Sequence, residues 1–299
     1  MVFTVTCIHC SPDTSLMIPS PVASYLRENN YGPVISSRPV GGGCISNGKI
    51  IITQSGVTFF LKTNSHAPAD MFAREAEGLT ALSVVGGPTV PQPLLFGADF
   101  ILQEDLTPAS RQPDYWPAFG RQLAALHNCT QPQFGFEHDN YIGSTTQPNG
   151  WMEDGYAFFA ERRLLFQAEL ARQHNLLGTS DLRAIEKIVD HLPELIPAQP
   201  ASLLHGDLWS GNALSDARGA PAIIDPAAHY GWAEAELAMT TLFGAFPSDF
   251  YQAYEEIRPL EPGYYARFPI YNLYHLLNHL NIFGRGYLGQ VQAILSRYA

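Results

Sequence analysis

The chain has 299 residues and a formal net charge of −11, from 28 acidic against 17 basic side chains, with 46% hydrophobic and 15% charged residues. This composition fits one large or two smaller globular domains and excludes collagen, coiled coil and disorder. No apolar run nears the roughly 18 residues of a membrane span, and an acidic chain without clustered lysine or arginine is a poor partner for nucleic acid or anionic membrane.

The segment Met1–Thr6 lacks the basic and apolar regions of a secretory signal. The four cysteines, Cys7, Cys10, Cys44 and Cys129, are too few and scattered for a disulfide framework. A reduced, cytoplasmic setting is therefore expected, with no nucleic-acid or membrane partner. Cys7 and Cys10 have CxxC spacing without a second pair, so residues 1–18 read as an irregular tail of unknown role carrying an incidental cysteine pair.

Pro19 and Pro21 open a short helix through Leu26. β-Branched and aromatic segments at 34–40, 49–54 and 57–62 predict an antiparallel meander, with turns at Gly41–Gly43 and Ser55–Gly56. Over 69–85 the apolar period becomes helical, and two further strands fit 93–97 and 100–104. Beyond about residue 107 helices are expected at 115–128, 154–175, 180–192, 232–244 and 263–283, interrupted by two apolar stretches ending at His205 and Asp225. The chain therefore reads as a two-lobed α+β protein, with a β-rich lobe at 19–106 and a mainly helical lobe at 107–299.

Chemistry concentrates in Leu204–Asn212. An acid two residues after a histidine, with asparagine five after the acid, has the spacing of a kinase catalytic loop, and Asp225 follows eighteen residues after Asp207 at the end of a short strand. Phosphoryl transfer needs a carboxylate near the acceptor hydroxyl and oxygen ligands that hold Mg2+ against ATP. Asp207 suits the first role, Asn212 and Asp225 the second. Gly42, Gly43 and Cys44 lie in a glycine-rich turn whose amides could approach phosphate. Lys62, one of only three lysines, ends a strand, and Glu75 thirteen residues later could orient it. The exit of the 100–104 strand through Glu104 to Leu106 could read adenine through backbone groups. His275 and His279 share a helical face at zinc spacing, but Leu276 stands where a metalloprotease needs glutamate.

Taken together, these stretches resemble the fructosamine kinase and ketosamine-3-kinase family, within the aminoglycoside phosphotransferase and choline kinase-like group. The likeness runs from about residue 19 to 290. It is carried by Leu204–Asn212, Asp225-Pro226-Ala227, Glu234–Leu237, Met71–Glu75, Phe159–Leu164, Asn140–Ser144, Gln147–Trp151 and Leu277–Gly284. The resemblance implies a protein-kinase-like bilobal fold and ATP- and Mg2+-dependent phosphorylation of the O3 hydroxyl of ketosamines, either small molecules or glycated protein side chains. The 3-phosphate then eliminates and frees the amine. It also implies that Trp209, Asn278 and His279 face the sugar. Gly155-Tyr156 departs from the family's usual Asp-Trp, which bears on local acceptor contacts. Cys44 could be an oxidisable thiol that converts a monomer into a covalent dimer, or a small spacer. Another hydroxyl-acceptor kinase, or a silent nucleotide-binding regulator, would share much of this pattern.

Overall fold

A computed structural model describes residues 18–41 and 46–299. The Cys7–Cys10 pair and Gly42, Gly43 and Cys44 lie outside the described residues.

The N-terminal part is built on one antiparallel sheet. Helix α1 (Ser20–Glu28) precedes β1 (Val34–Val40), β2 (Asn47–Thr53) and β3 (Thr58–Thr63); α2 (Met71–Leu82) follows, then β4 (Pro93–Phe96) and β5 (Phe100–Glu104). The strand order is β1-β2-β3-β5-β4. Strand periodicity decides what each face carries. Phe59, Leu61, Phe100 and Leu102 pack with Val22 and Leu26 of α1. The residues between them, Lys62, Ile101 and Gln103, face α2, where Ile101 meets Phe72, Ala76 and Leu79.

The C-terminal part is mostly helical. In order it contains α3 (Tyr115–His127), β6 (Thr130–Gln131), the hairpin β7 (Asn140–Ile142) and β8 (Thr145–Gln147), and α4 (Gly155–Phe159). A π-helical stretch, Ala160–Leu165, joins α4 to α5 (Phe166–Gln173). Then come α6 (Thr179–Asp190), α7 (Leu192–Leu195), β9 (Ala201–Leu204), β10 (Ala213–Ser215), β11 (Pro221–Ile223) and β12 (His229–Gly231). The chain ends with α8 (Ala233–Met239), α9 (Ser248–Ile257), α10 (Tyr264–Phe283) and α11 (Leu288–Tyr298). No described helix is long and apolar enough to cross a membrane.

The predicted elements recur within a few residues; the short elements β6, β7, β8, β12 and α7 have no counterpart among them, and three further differences stand out. The helix expected over 232–244 stops at Met239, because Thr240 and Thr241 turn their hydroxyls back onto Leu237 O and Ala238 O and Gly244 has φ +86°. The amphipathic helices α9 and α11 were not read from the sequence, although Phe250, Ala253 and Tyr254, and Val291, Ile294 and Leu295, fall at helical spacing on their buried faces. The two apolar stretches ending at His205 and Asp225 do not pair with each other: β9 pairs with β6 and β12, and β11 with β10.

Helices α3 and α9 pack with their backbones in close approach at Gly120, where an added Cβ would stand 2.1 Å from Phe250 O. Alanine normally gains about 1 kcal/mol over glycine inside a helix, but here separating two packed backbones would cost more, about 1–3 kcal/mol. Gly120→Ala should therefore lower the melting temperature; a rise would contradict this packing.

Candidate functional site

The site lies where α2 and β3 of the N-terminal part face the loops after β9 and β11. On α2, Glu75 falls between Phe72 and Leu79 on the face turned to the sheet, which brings it to Lys62. Lys62 Nζ donates to Glu75 Oε1 at 2.8 Å and to Asp225 Oδ1 at 2.7 Å, and Gln103 Nε2 donates to the same Glu75 oxygen at 2.8 Å. Burial opposes the charge on Lys62, yet the two carboxylates outweigh it and raise its pKa, so the ammonium is firmly held. Asp225 has φ +57°, a left-handed conformation costly for a non-glycine residue.

The loop after β9 is held from beneath by one buried carboxylate. Glu236, on α8, accepts from the backbone N–H groups of His205 at 2.9 Å and Gly206 at 2.6 Å. His127 Nε2 lies 3.0 Å from the same side chain, and His127 Nδ1 lies 2.8 Å from Tyr254 OH. Burial would raise the Glu236 pKa, but His127 and the backbone donors lower it, so Glu236 stays ionised. Gly206 has φ +83°, and a Cβ there would sit 2.1 Å from Ala227 O, so only glycine fits the turn.

His205 ties the two loops together. The Asp207 N–H donates to its Nδ1 at 3.2 Å, so Nε2 carries the proton and donates to Ile224 O at 2.8 Å. The Ala227 N–H donates to His205 O at 2.9 Å. Asn212 Nδ2 donates to Asp207 O at 2.8 Å and to Asp207 Oδ2 at 3.3 Å. Burial, followed by the nearby Asp225 charge, pushes the Asp207 carboxyl well above the usual aspartate range. A carboxylate set this way is a better proton acceptor near neutral pH than an exposed aspartate.

These groups open on one cavity of about 440 Å³. Lys62, Glu75, Asp207, Trp209, Asn212, Asp225, Asn278 and His279 all line it, so eight residues singled out from sequence converge. Glu104 and Leu106 are not part of its wall; the Glu104 side chain is exposed and its N–H donates to Gln92 O at 2.9 Å. Asn278 is buried, and its amide is engaged by Gln167 at 3.3 Å and Ile142 O at 3.5 Å.

Met71, Arg74, Tyr141, Phe243, Phe283 and Tyr287 also line the cavity and were not singled out as site residues. Met71, Arg74, Tyr141 and Phe283 fall in stretches already notable in the sequence, whereas nothing local marks Phe243 and Tyr287. Hairpin β7–β8, which carries Tyr141, is fixed by a buried amide network. Asn140 Nδ2 donates to Ala228 O at 2.8 Å, Gln147 Nε2 to Asn140 Oδ1 at 2.8 Å, and Tyr274 OH to Gln147 Oε1 at 2.7 Å. Arg163, from the π-helical stretch, braces the same network through Asn149 Oδ1 at 2.8 Å.

Among the described residues no three His, Cys, Asp or Glu side chains converge as a metal cage. Asn212 and Asp225 instead present an amide and a carboxylate on one wall. With the Asn212 nitrogen spent on Asp207, its Oδ1 is left as an oxygen donor. Two oxygen-bearing side chains suit a cation that keeps water and takes further ligands from phosphates.

The chain matches the fructosamine kinase family over residues 22–299. It is 42% identical over 265 residues to a protein of Synechocystis sp. assigned as a ketoamine kinase, covering 87% of this chain and 89% of that one. It is 38% identical over 283 residues to a chloroplastic protein-ribulosamine 3-kinase of Oryza sativa, covering 91% and 81%. The solved structure of a Thermobifida fusca protein assigned as a fructosamine-3-kinase superposes with a TM-score of 0.83 at 33% identity, covering 92% of this chain and 97% of that one.

Glu236→Gln keeps the shape but turns an N–H2 group toward backbone donors, a mismatch worth about 1–3 kcal/mol. Turnover should fall about tenfold or more while nucleotide affinity changes little, as read by steady-state kinetics and nucleotide titration. Unchanged turnover would remove Glu236 from the positioning of Asp207.

Proposed function

The chain belongs to the fructosamine kinase family, and on that premise we propose that it transfers the γ-phosphoryl group of ATP to the O3 hydroxyl of ketosamines. The observation that carries this reading is the meeting of Asp207 with the Lys62–Glu75–Asp225 cluster and with Trp209 and His279 on one cavity.

In this reading Lys62 grips the α- and β-phosphates, and Glu75 keeps its ammonium in place. Gly42, Gly43 and Cys44 would bring backbone amides to the phosphates, and the Glu104–Leu106 connector, outside the cavity wall and with the Glu104 N–H given to Gln92 O, would read adenine through its remaining backbone groups. Asn212 and Asp225 would hold Mg2+, which when bound neutralises charge on the phosphate oxygens. Asp207 accepts the hydroxyl proton as the O3–phosphorus bond forms and the bond from the γ-phosphorus to the β,γ-bridging oxygen breaks, with ADP leaving. Its tether to Asn212 keeps a carboxylate oxygen aimed at the acceptor hydroxyl. Trp209 offers a ring face to the apolar face of the sugar, and His279 lies over the same loop.

The relatives named above as ketoamine and ribulosamine kinases support sugar-amine acceptors, free or on protein side chains. The phosphorylated product loses its 3-phosphate and releases the amine, so the reaction reverses glycation. The N-terminal part then serves as the nucleotide-gripping lobe and the C-terminal part as the acceptor lobe.

Asp207→Asn should retain nucleotide binding and lose turnover by about three or more orders of magnitude, since base, aim and charge go together. Near-normal turnover in that variant would remove Asp207 from the proton step. In competition, wild-type enzyme should consume a fructosamine or ribulosamine in preference to kanamycin; the reverse order would point to an aminoglycoside acceptor.

A further inference from the structure

The outer half of the cavity is walled by aromatic rings. His279 is the centre of the group: its ring centroid lies 4.5 Å from that of Phe243, 5.1 Å from that of Tyr287 and 5.4 Å from that of Phe283. Phe243 in turn lies 6.3 Å from Trp209, two residues beyond Asp207. The rings thus lead from the proton acceptor toward the mouth, where Phe283 is 49% exposed. An exposed large ring that continues an enzymatic cavity signals a ligand surface.

The rings of this wall carry no positive charge. His279 Nδ1–H donates to His275 O at 2.8 Å, which leaves Nε2 as a lone-pair acceptor with no partner among the described residues. Burial lowers the His279 pKa, so the ring is neutral and does not repel a cation. The cations on the cavity wall, Lys62 and Arg74, both come from the N-terminal part, and each is already paired, Lys62 with Glu75 and Asp225 and Arg74 with Glu77 at 2.9 Å. Any group seated against the aromatic wall therefore meets π faces, the His279 Nε2 acceptor and the neutral Tyr287 hydroxyl and Trp209 indole N–H, with no positive charge among the rings to pair with an anion. An ammonium gains there from the ring faces, whereas a carboxylate finds no opposite charge to offset its loss of water.

In a ketosamine the nitrogen stands three bonds from the carbon that bears O3, so with O3 at Asp207 the nitrogen and its substituent extend along this wall. We propose that Phe243, Phe283 and Tyr287, gathered around His279, form the subsite for the nitrogen substituent of the ketosamine and select alkyl- or aryl-substituted amines over amines that carry a neighbouring carboxylate. Adducts of a side-chain amine fit this subsite, and adducts of a free α-amino acid do not. The assignment rests on the ketosamine reading and adds to it the residues that choose the amine.

The test compares one ketose carried on butylamine, on glycine through its α-amino group, and as the unsubstituted 1-aminoketose. Wild-type enzyme should favour the butylamine adduct over the glycine adduct by about tenfold or more in kcat/KM. Phe283→Ala and Tyr287→Ala should each collapse the preference for the butylamine adduct over the unsubstituted aminoketose, chiefly through KM. Tyr287→Phe and Phe283→Leu, which keep an apolar wall, should retain most of it. Preferences that stay at wild-type values in both alanine variants would overturn the subsite while leaving the kinase reading intact. Turnover of the glycine adduct equal to that of the butylamine adduct would likewise overturn it. A wild-type enzyme that phosphorylates none of the three would overturn the ketosamine reading, and the subsite with it.

Discussion

One ammonium holds the cleft together. Lys62 comes from the sheet, Glu75 from the helix beside it and Asp225 from a loop 163 residues further along the chain, and all three meet within 2.8 Å. Burying these charges is unfavourable in itself, and removing one partner from such a cluster typically costs about 3–5 kcal/mol because an uncompensated charge remains. The cluster therefore fixes an arrangement more than it adds stability. Its geometry sets the spacing between the wall formed by β3 and α2 and the loop that carries Asp207. The left-handed backbone at Asp225 has the same meaning: a strained conformation persists because neighbouring contacts over-determine it.

A second buried charge does for the loop after β9 what Lys62 does for the cleft. Glu236 satisfies two consecutive backbone N–H groups that would otherwise be orphaned at the end of β9, and His127 and Tyr254 complete its shell. Asp207 is thereby aimed by the backbone rather than by its own flexible side chain. The amide network around Asn140, Gln147 and Arg163 plays the corresponding part on the acceptor side, securing hairpin β7–β8 against α10 and the loop after Asp225. Rigid supports on both sides of the cavity fit a reaction that depends on position and electrostatics.

What could be read from sequence follows the range of the signal. The meander, α2 and the Leu204–Asn212 loop rest on local periodicity and spacing, and they appear as expected. Lys62 and Glu75 were legible as a pair from the partner that a phosphate-binding lysine needs, and the structure puts both on the side of the sheet that faces α2. The stretch Glu234–Leu237 was marked by the resemblance, but the bonds of Glu236 to the His205 and Gly206 N–H groups, 31 and 30 residues back, and its contact with His127, 109 residues back, follow only from the fold. Phe243, Phe283 and Tyr287 were missed for a similar reason: a ring at a helix end or in a turn looks like ordinary core until the chain folds. Helices α9 and α11 were missed although their spacing was present, since aromatic residues and short length weaken the helical pattern. For Asn278 the sequence located the residue on the cavity but not the fact that its amide already has neighbours.

The central claim is that this site places phosphate on O3 of a ketosamine. The most direct measurement incubates the enzyme with ATP, Mg2+ and an Nε-ketosyl-lysine derivative labelled with carbon-13 at C3, and follows phosphorus and carbon resonances together. The account predicts phosphorus coupling to C3, followed by inorganic phosphate and free lysine derivative as the adduct decays. Phosphorus coupled to another carbon of the sugar, or ATP consumed with no sugar phosphate formed, would contradict it.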